Sequence, residues 1–274
     1  MQGIGAQWTQ QIAARFGAEP VNATVTGGSI PASGSVTVSL DLDFLRVNSD
    51  NNYIACRCII AGVPGSLVRY GPVSPAAGVL VYTFTRDVAG AAVQAAGTVP
   101  LTVTSGMIRG TTDATGAPSL DAMRGGTLVI RTGQNDVDKA DYDKAATVDR
   151  IAAMVARMTT LWPQVIVVGN MVQNGRVPTA QGGLYTGTAA QSRVLIQRTL
   201  DFNAALSARF GGMYFDPNVN HRNVADGTAT ATVDGLTVEY CTAVVIADGV
   251  HETQVGQNNT AAGLQARINQ MGFN

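Results

Sequence analysis

Part-way along this chain the apolar residues change their spacing, and that change limits the fold more than any other feature. Between Val21 and about Ser105, the short runs NATVTG, GSVTVSLDL, YIACRCIIAG, VLVYTFTR and PLTVTS are separated by Gly, Pro and Ser. Such closely spaced runs predict a small antiparallel β domain. From Gly125 the pattern differs. TLVIRT and VIVVGN are apolar without alternation, as in strands of a parallel sheet covered on both faces.

Helical spacing surrounds those two runs. Val148, Ile151, Val155, Met158 and Trp162 fall on one face, and Pro163 stops the pattern. Residues 188–210 predict a second helix through Leu195, Phe202, Leu206 and Phe210, followed by Gly211 and Gly212. MYFD then reads as a short strand and NVADGTATATVDGLTVEY as a hairpin. A last helix is predicted over 254–271 on Ala261, Leu264, Ile268 and Met271. Near the start, Trp8, Ile12 and Phe16 give a short helix ending at Gly17. Strand, helix, strand, helix, strand, helix is the order of an α/β fold with a parallel sheet, so the β-rich part is expected to be an insertion after the first helix.

Composition removes several classes of function. Of 274 residues, 14% are charged and the formal net charge is −1, so there is no basic footprint for nucleic acid. No segment reaches the roughly 18 apolar residues of a membrane helix. MQGIGAQWTQQ has neither the basic start nor the apolar stretch of a secretion signal. Few charges and many Gly, Ala, Thr and Val residues suit an extracellular or virion-associated protein. Cys56 and Cys58 point to one face of a strand-like run, Cys241 stands alone, and His221 and His251 are far apart, so buried thiols are expected, with no metal site and no cofactor. His221, in NVNHRN, reads as a solvated residue of a polar loop or a local contact. GGTLVIRTGQND holds its glycines on both sides of the strand, which is not a phosphate-binding G-x-G-x-x-G turn.

Functional groups in such sheets gather at the carboxyl ends of the strands. Two segments qualify. RTGQNDVD places Asn135 and Asp136 directly after TLVIRT, and ADGVHET places Asp248 and His251 in one turn before the last helix. Read singly, Asn135 and Asp248 are ordinary turn or cap residues and His251 a surface residue.

Together, G-x-N-D after one strand, D-x-x-H before the last helix and Q-Q-x-x-A-R in the first helix resemble the SGNH (GDSL-like) hydrolase family over residues 1–19 and 107–272. The segments GGSIPASGSVTVS, IAGVPGSLVRYG and VYTFTRDVAGAAV resemble the insertion carried by a bacterial and phage subset of that family. The resemblance implies a three-layer, flavodoxin-like parallel sheet flanked by helices over 1–20 and 107–274, with an inserted β domain at 21–106. It also implies roles. His251 would be the general base and Asp248 its orienter, with Asn135 and the backbone N–H of Ala6 (Gly5 if the register slips by one) as oxyanion donors. This is the logic of acyl transfer, in which a base held in one tautomer serves a hydroxyl and donors face the developing charge.

One part of the pattern is missing. No G-D-S or G-x-S-x-G occurs in residues 1–274, and the family's first strand and serine would precede Gln7. Thr9, in a helical pattern, and Ser66, in the β segment, are poor substitutes. Since the family's first strand is central, its neighbours would be left with open ladder groups. The expected partner is another chain or segment that fills this place within a larger assembly. Two functions follow: an esterase or carbohydrate O-deacetylase body acting on cell-surface polysaccharide, with its serine supplied from outside these residues; or an inactive virion or tail protein, structural or receptor-binding, on the same fold.

Overall fold

A computed structural model describes residues 7–45, 54–69, 81–109, 126–159, 164–178 and 187–273. They fall into two compact units, one drawn from Met1–Gly126 and Asp149–Trp162, the other from Thr127–Val148 and Pro163–Asn274.

The first unit is built on a closed antiparallel barrel. Helix α1 (Thr9–Arg15) is followed by β1 (Val21–Val25), β2 (Ser29–Ile30), β3 (Ser35–Leu40), β4 (Ile54–Ile60), β5 (Val63–Arg69), β6 (Val81–Arg86), β7 (Val93–Gln94) and β8 (Thr98–Arg109). Six of these strands close in the order β1-β3-β6-β5-β4-β8, while β2 and β7 form a separate ribbon. Alternation drives the closure: Val21, Ala23 and Val25 of β1 are buried, and Thr24 between them is exposed. Val38, Ile54, Ile60, Leu67, Phe84 and Val103 fill the same core. Pairing of β1 with β8, Val21 opposite Leu101, leaves the barrel without a free edge.

The barrel also encloses a polar lock. The buried Asp43 carboxylate accepts two hydrogen bonds from Arg69, at 2.8 and 2.9 Å, and one from the Tyr82 hydroxyl at 2.5 Å. Helix α1 and the residues just before it hold the backbone of the same stretch: Gln11 donates to the Asp43 carbonyl at 2.7 Å and Gln7 to that of Phe44 at 3.0 Å. Helix α2 (Lys144–Thr159) runs on from the other unit. Its Arg157 donates to the carbonyl of Phe16 at 2.7 Å and its Arg150 pairs with Glu19 at 3.4 Å.

In the second unit, β9 (Leu128–Arg131), β10 (Val165–Val168) and β11 (Tyr214–Phe215) form a parallel sheet in the order β11-β10-β9. Val165, Ile166, Val167 and Val168 are all buried, as their unbroken apolar run predicts. At the other side, β9 is an edge strand among the described residues, and Val129 on it is 40% exposed. Helix α3 (Ala189–Phe210) is capped by Thr188, which exchanges hydrogen bonds with Gln191, and buries Leu195, Phe202, Leu206 and Phe210. Helix α4 (Pro217–His221) starts at the Asp216 cap. The hairpin β12 (Thr228–Val233) and β13 (Leu236–Cys241) lays Val233 and Val238 against Val172, Val177 and Ile196.

Helix α5 (Gln254–Gln270) departs from its expected packing. Ala261 is exposed, and Leu264, Ile268 and Met271 are only half-buried. The helix meets α4 instead through small and polar residues: a Cβ on Gly263 would lie 2.4 Å from the Asn220 amide, and Asn220 donates to the carbonyl of Asn259 at 2.8 Å. No helix of the described residues is long and apolar enough to cross a membrane.

The barrel lock yields a stability prediction. Replacing Arg69 with Leu leaves the Asp43 carboxylate buried without its cation, and such changes cost about 3–5 kcal/mol. Urea denaturation of Arg69→Leu is expected to show a loss of that order; a loss under about 1 kcal/mol would contradict the assigned role.

Candidate active site

The ADGVH turn shapes the first half of the site. It is closed by a hydrogen bond from the Ala247 N–H to the His251 carbonyl, 2.7 Å, and by an antiparallel bridge between Ile246 and Glu252. Within it, Asp248 Oδ1 accepts from the backbone N–H groups of Val250 and His251 at 3.1 and 2.8 Å, while Oδ2 lies 2.7 Å from His251 Nδ1. The hydrogen bond from the ring holds the Asp248 carboxyl well below the usual carboxylate range, helped by the backbone donors. An ionised carboxylate only accepts, so Nδ1 carries a proton, and in the neutral ring Nε2 keeps its lone pair. With its side chain 79% exposed, the His251 ring is oriented by Asp248 and open to solvent.

The second half is the turn after β9. Asp136 N–H and Val137 N–H both return to the Gly133 carbonyl, at 3.1 and 3.3 Å, which curls the chain so that Asn135 is half-buried in the bend. Gly133 has φ +99°, and a Cβ there would come within 2.4 Å of the Phe202 ring. Two arginines hold the loop from α3 and its approach. Arg176 donates to Thr199 at 2.8 Å and pairs with Asp138 at 2.9 Å. Arg198 donates to the carbonyls of Val137 and Lys139 at 3.0 and 2.7 Å, and its guanidinium lies over the Tyr142 ring.

The two turns are fastened together beside the functional positions. Gln134 donates to Gln173 Oε1 at 3.3 Å, and Gln173 donates in turn to the Val250 carbonyl at 2.8 Å. Thus the neighbour of Asn135 reaches the neighbour of His251 through one buried amide. A second tie is ionic: Arg131, the last residue of β9, meets the Glu252 carboxylate at 2.7 Å. The ADGVH turn is also held by the segment after β10. Gly175 N–H donates to the Gly249 carbonyl at 3.2 Å, and a Cβ on Gly175 would lie 2.5 Å from that oxygen.

Glu252 sits at the centre of a buried network that residue order alone does not reveal. Its side chain, 9% exposed, also accepts from Thr260 at 2.5 Å and lies 3.2 Å from His221 Nε2. Burial pushes the carboxyl up, but the hydrogen bond from His221 and the charge of Arg131, with Thr260, outweigh it and hold the group at about 2. His221 corrects an expectation. It is fully buried at the end of α4 rather than solvated in a loop, because its ring fills the space between α4, Glu252 and α5.

Other expected positions are found as follows. Ala6, with Gly5, lies outside the described residues. Thr9 is buried in the first turn of α1, and Ser66 is buried in β5 opposite Arg57. Neither hydroxyl is presented to solvent. Cys56, Cys58 and Cys241 are buried free thiols, and burial pushes Cys56 and Cys241 up to about 12. Among the described residues no cluster of His, Cys, Asp and Glu is arranged to hold a metal ion.

Neither a family model nor a curated protein matches the chain. Among solved structures it is similar to one described as a peptidoglycan O-acetylesterase in action, at 9% identity over 92% of this chain and 77% of that one, with a TM-score of 0.33. At that score the overlap defines neither the fold nor the function of this chain.

The depressed Glu252 carboxyl sets a pH dependence. A carboxyl lower in the folded than in the unfolded state contributes stability above its unfolded value, and that stability is lost as pH falls through the folded one. Thermal midpoints are therefore expected to fall from about pH 4.5 toward pH 2. Glu252→Gln should be less stable at neutral pH and flatter across this interval. An unchanged acid limb in Glu252→Gln would contradict the assignment.

Proposed function

We propose that this chain is the body of an SGNH-type ester hydrolase that removes acyl groups from cell-surface polysaccharide. The observation that carries the reading is the 2.7 Å contact between Asp248 and His251, with the ring exposed and one tautomer fixed. In this reading His251 Nε2 takes the proton of a serine hydroxyl as its oxygen attacks the ester carbon. Asn135 donates to the resulting oxyanion, the role that the resemblance also gives to the Ala6 N–H. The C–O bond to the sugar then breaks, the departing alkoxide takes the proton from His251, and water removes the acyl group by the same steps in reverse order.

Residues 1–274 hold no G-D-S, and the buried Thr9 and Ser66 offer no replacement. In this reading the serine comes from polypeptide outside this sequence, a segment of the same gene product or a partner chain. The edge of β9, with Val129 exposed, suits a parallel strand laid beside it. The resemblance also supports the wider arrangement, a three-layer α/β domain over 1–20 and 107–274 with an insert over 21–106, and the low charge suits an extracellular or virion-associated setting. The buried Thr9 and Ser66 favour a second reading, an inactive virion or tail protein, structural or receptor-binding, that keeps the pair as a relic.

Hydrolysis of p-nitrophenyl acetate separates the two, measured on the chain together with its serine-bearing segment. The expected result is turnover that falls on the order of 10³-fold or more in His251→Ala, as loss of a triad member requires. Turnover indifferent to His251→Ala, or none with the serine in place, would sink the enzymatic reading.

A further inference from the structure

The carboxylate immediately after the candidate base has no part in the chemistry described above, yet both of its oxygens are engaged. His251 and Glu252 are neighbours on the strand-like exit of the ADGVH turn, where Glu252 bridges Ile246. Successive side chains on such a segment point to opposite sides. One therefore faces solvent, and the other is buried.

We propose that Glu252 is a positioning residue for the Asp248–His251 pair, and that Arg131, His221 and Thr260 form the socket that receives it. This rests on the enzymatic reading of the pair. The socket draws on three separate elements: the end of β9 through Arg131, α4 through His221, and the second turn of α5 through Thr260. Anchoring Glu252 on all three fixes the backbone of the exit, and so the direction in which the preceding ring leaves the chain. Two further ties hold the turn to the rest of the unit, the Gln173 amide on the Val250 carbonyl and the Gly175 N–H on the Gly249 carbonyl. Both hold the turn by its backbone, whereas Glu252 holds it by a side chain next in sequence to the base.

The charges facing this carboxylate are complementary in kind. Arg131 supplies a cation at 2.7 Å on Oε2, and the Thr260 hydroxyl with the His221 ring takes Oε1. Glu252 is thereby occupied on both oxygens and does not compete with Asp248 for the His251 ring. Without the socket the exit of the turn would lose its anchor, and the ring would no longer be held in register with Asp248.

Imidazole ¹⁵N spectra of histidine-labelled protein test this without substrate, so the result is independent of whether the chain hydrolyses esters. The two histidines are distinguished by a His251→Ala sample. In the wild type, neutral His251 is expected in the Nδ1–H form. In Glu252→Ala that form should be lost in favour of the mixture shown by an unrestrained histidine, and Glu252→Gln, which still accepts from Thr260 and His221, should restore part of it. Arg131→Met, at the partly exposed end of β9, provides a second variant if Glu252→Ala does not fold; a shift in the same direction is expected. A His251 tautomer and titration unchanged in the folded variants would overturn the positioning role. A wild-type His251 lacking the Nδ1–H form would overturn both this role and the pair on which it rests, whereas absent esterase activity with the spectra as expected would overturn only the enzymatic reading.

Discussion

The ion pair between Arg131 and Glu252 is the contact on which the site depends. It joins residues 121 positions apart in sequence, the end of a buried strand and the exit of an exposed turn. Exposed ion pairs contribute little, but this one places a largely buried carboxylate under a guanidinium while a threonine and a histidine satisfy its other oxygen. Breaking it by removing one partner leaves a buried charge, so the network acts as a unit. The exposed Asp248–His251 pair has no such burial of its own. Its geometry comes from the scaffold behind it.

That scaffold follows a consistent physical order. An unalternated apolar run makes β10, which is buried at every position and pairs with β9 on one side and β11 on the other. The chain must leave β9 in a sharp bend because Gly133 meets Phe202 of α3, and Arg176 and Arg198 then hold the bend by its carbonyls and Asp138. The barrel solves a different problem. Alternating strands bury one face and remove their edges by closing, and an acid, an arginine and a tyrosine lock together where Gln7 and Gln11 of α1 and its approach deliver two amides. Gln11, part of the Q-Q-x-x-A-R pattern, thus has a structural task within that unit.

Local patterns were legible in the sequence, and non-local pairings were not. The spacing of Val148, Ile151 and Val155, and of Leu195, Phe202, Leu206 and Phe210, marked faces that are buried. D-x-x-H identified a pair that does meet, because three residues in one turn suffice to bring it together. Closure of β1 on β8 depends on partners some eighty residues apart, and nothing in either run specifies the other. The face of α5 was misjudged for a related reason: it packs through Gly263, Asn259 and Thr260, whose fit to α4 is steric and polar rather than apolar. Arg131, Gln173, His221 and Glu252 carried only weak signals, a cation ending an apolar strand and an acid following a histidine. Their roles exist only once the two turns are side by side.

The most direct test of this account is a double-mutant cycle between Arg131 and Glu252, using Arg131→Met, Glu252→Gln and the double variant in urea denaturation. If the pair fastens β9 to the Asp248–His251 turn, the two changes should be non-additive, with a coupling energy on the order of 1–3 kcal/mol at neutral pH that disappears near pH 2. Additive effects, with coupling near zero at neutral pH, would contradict it.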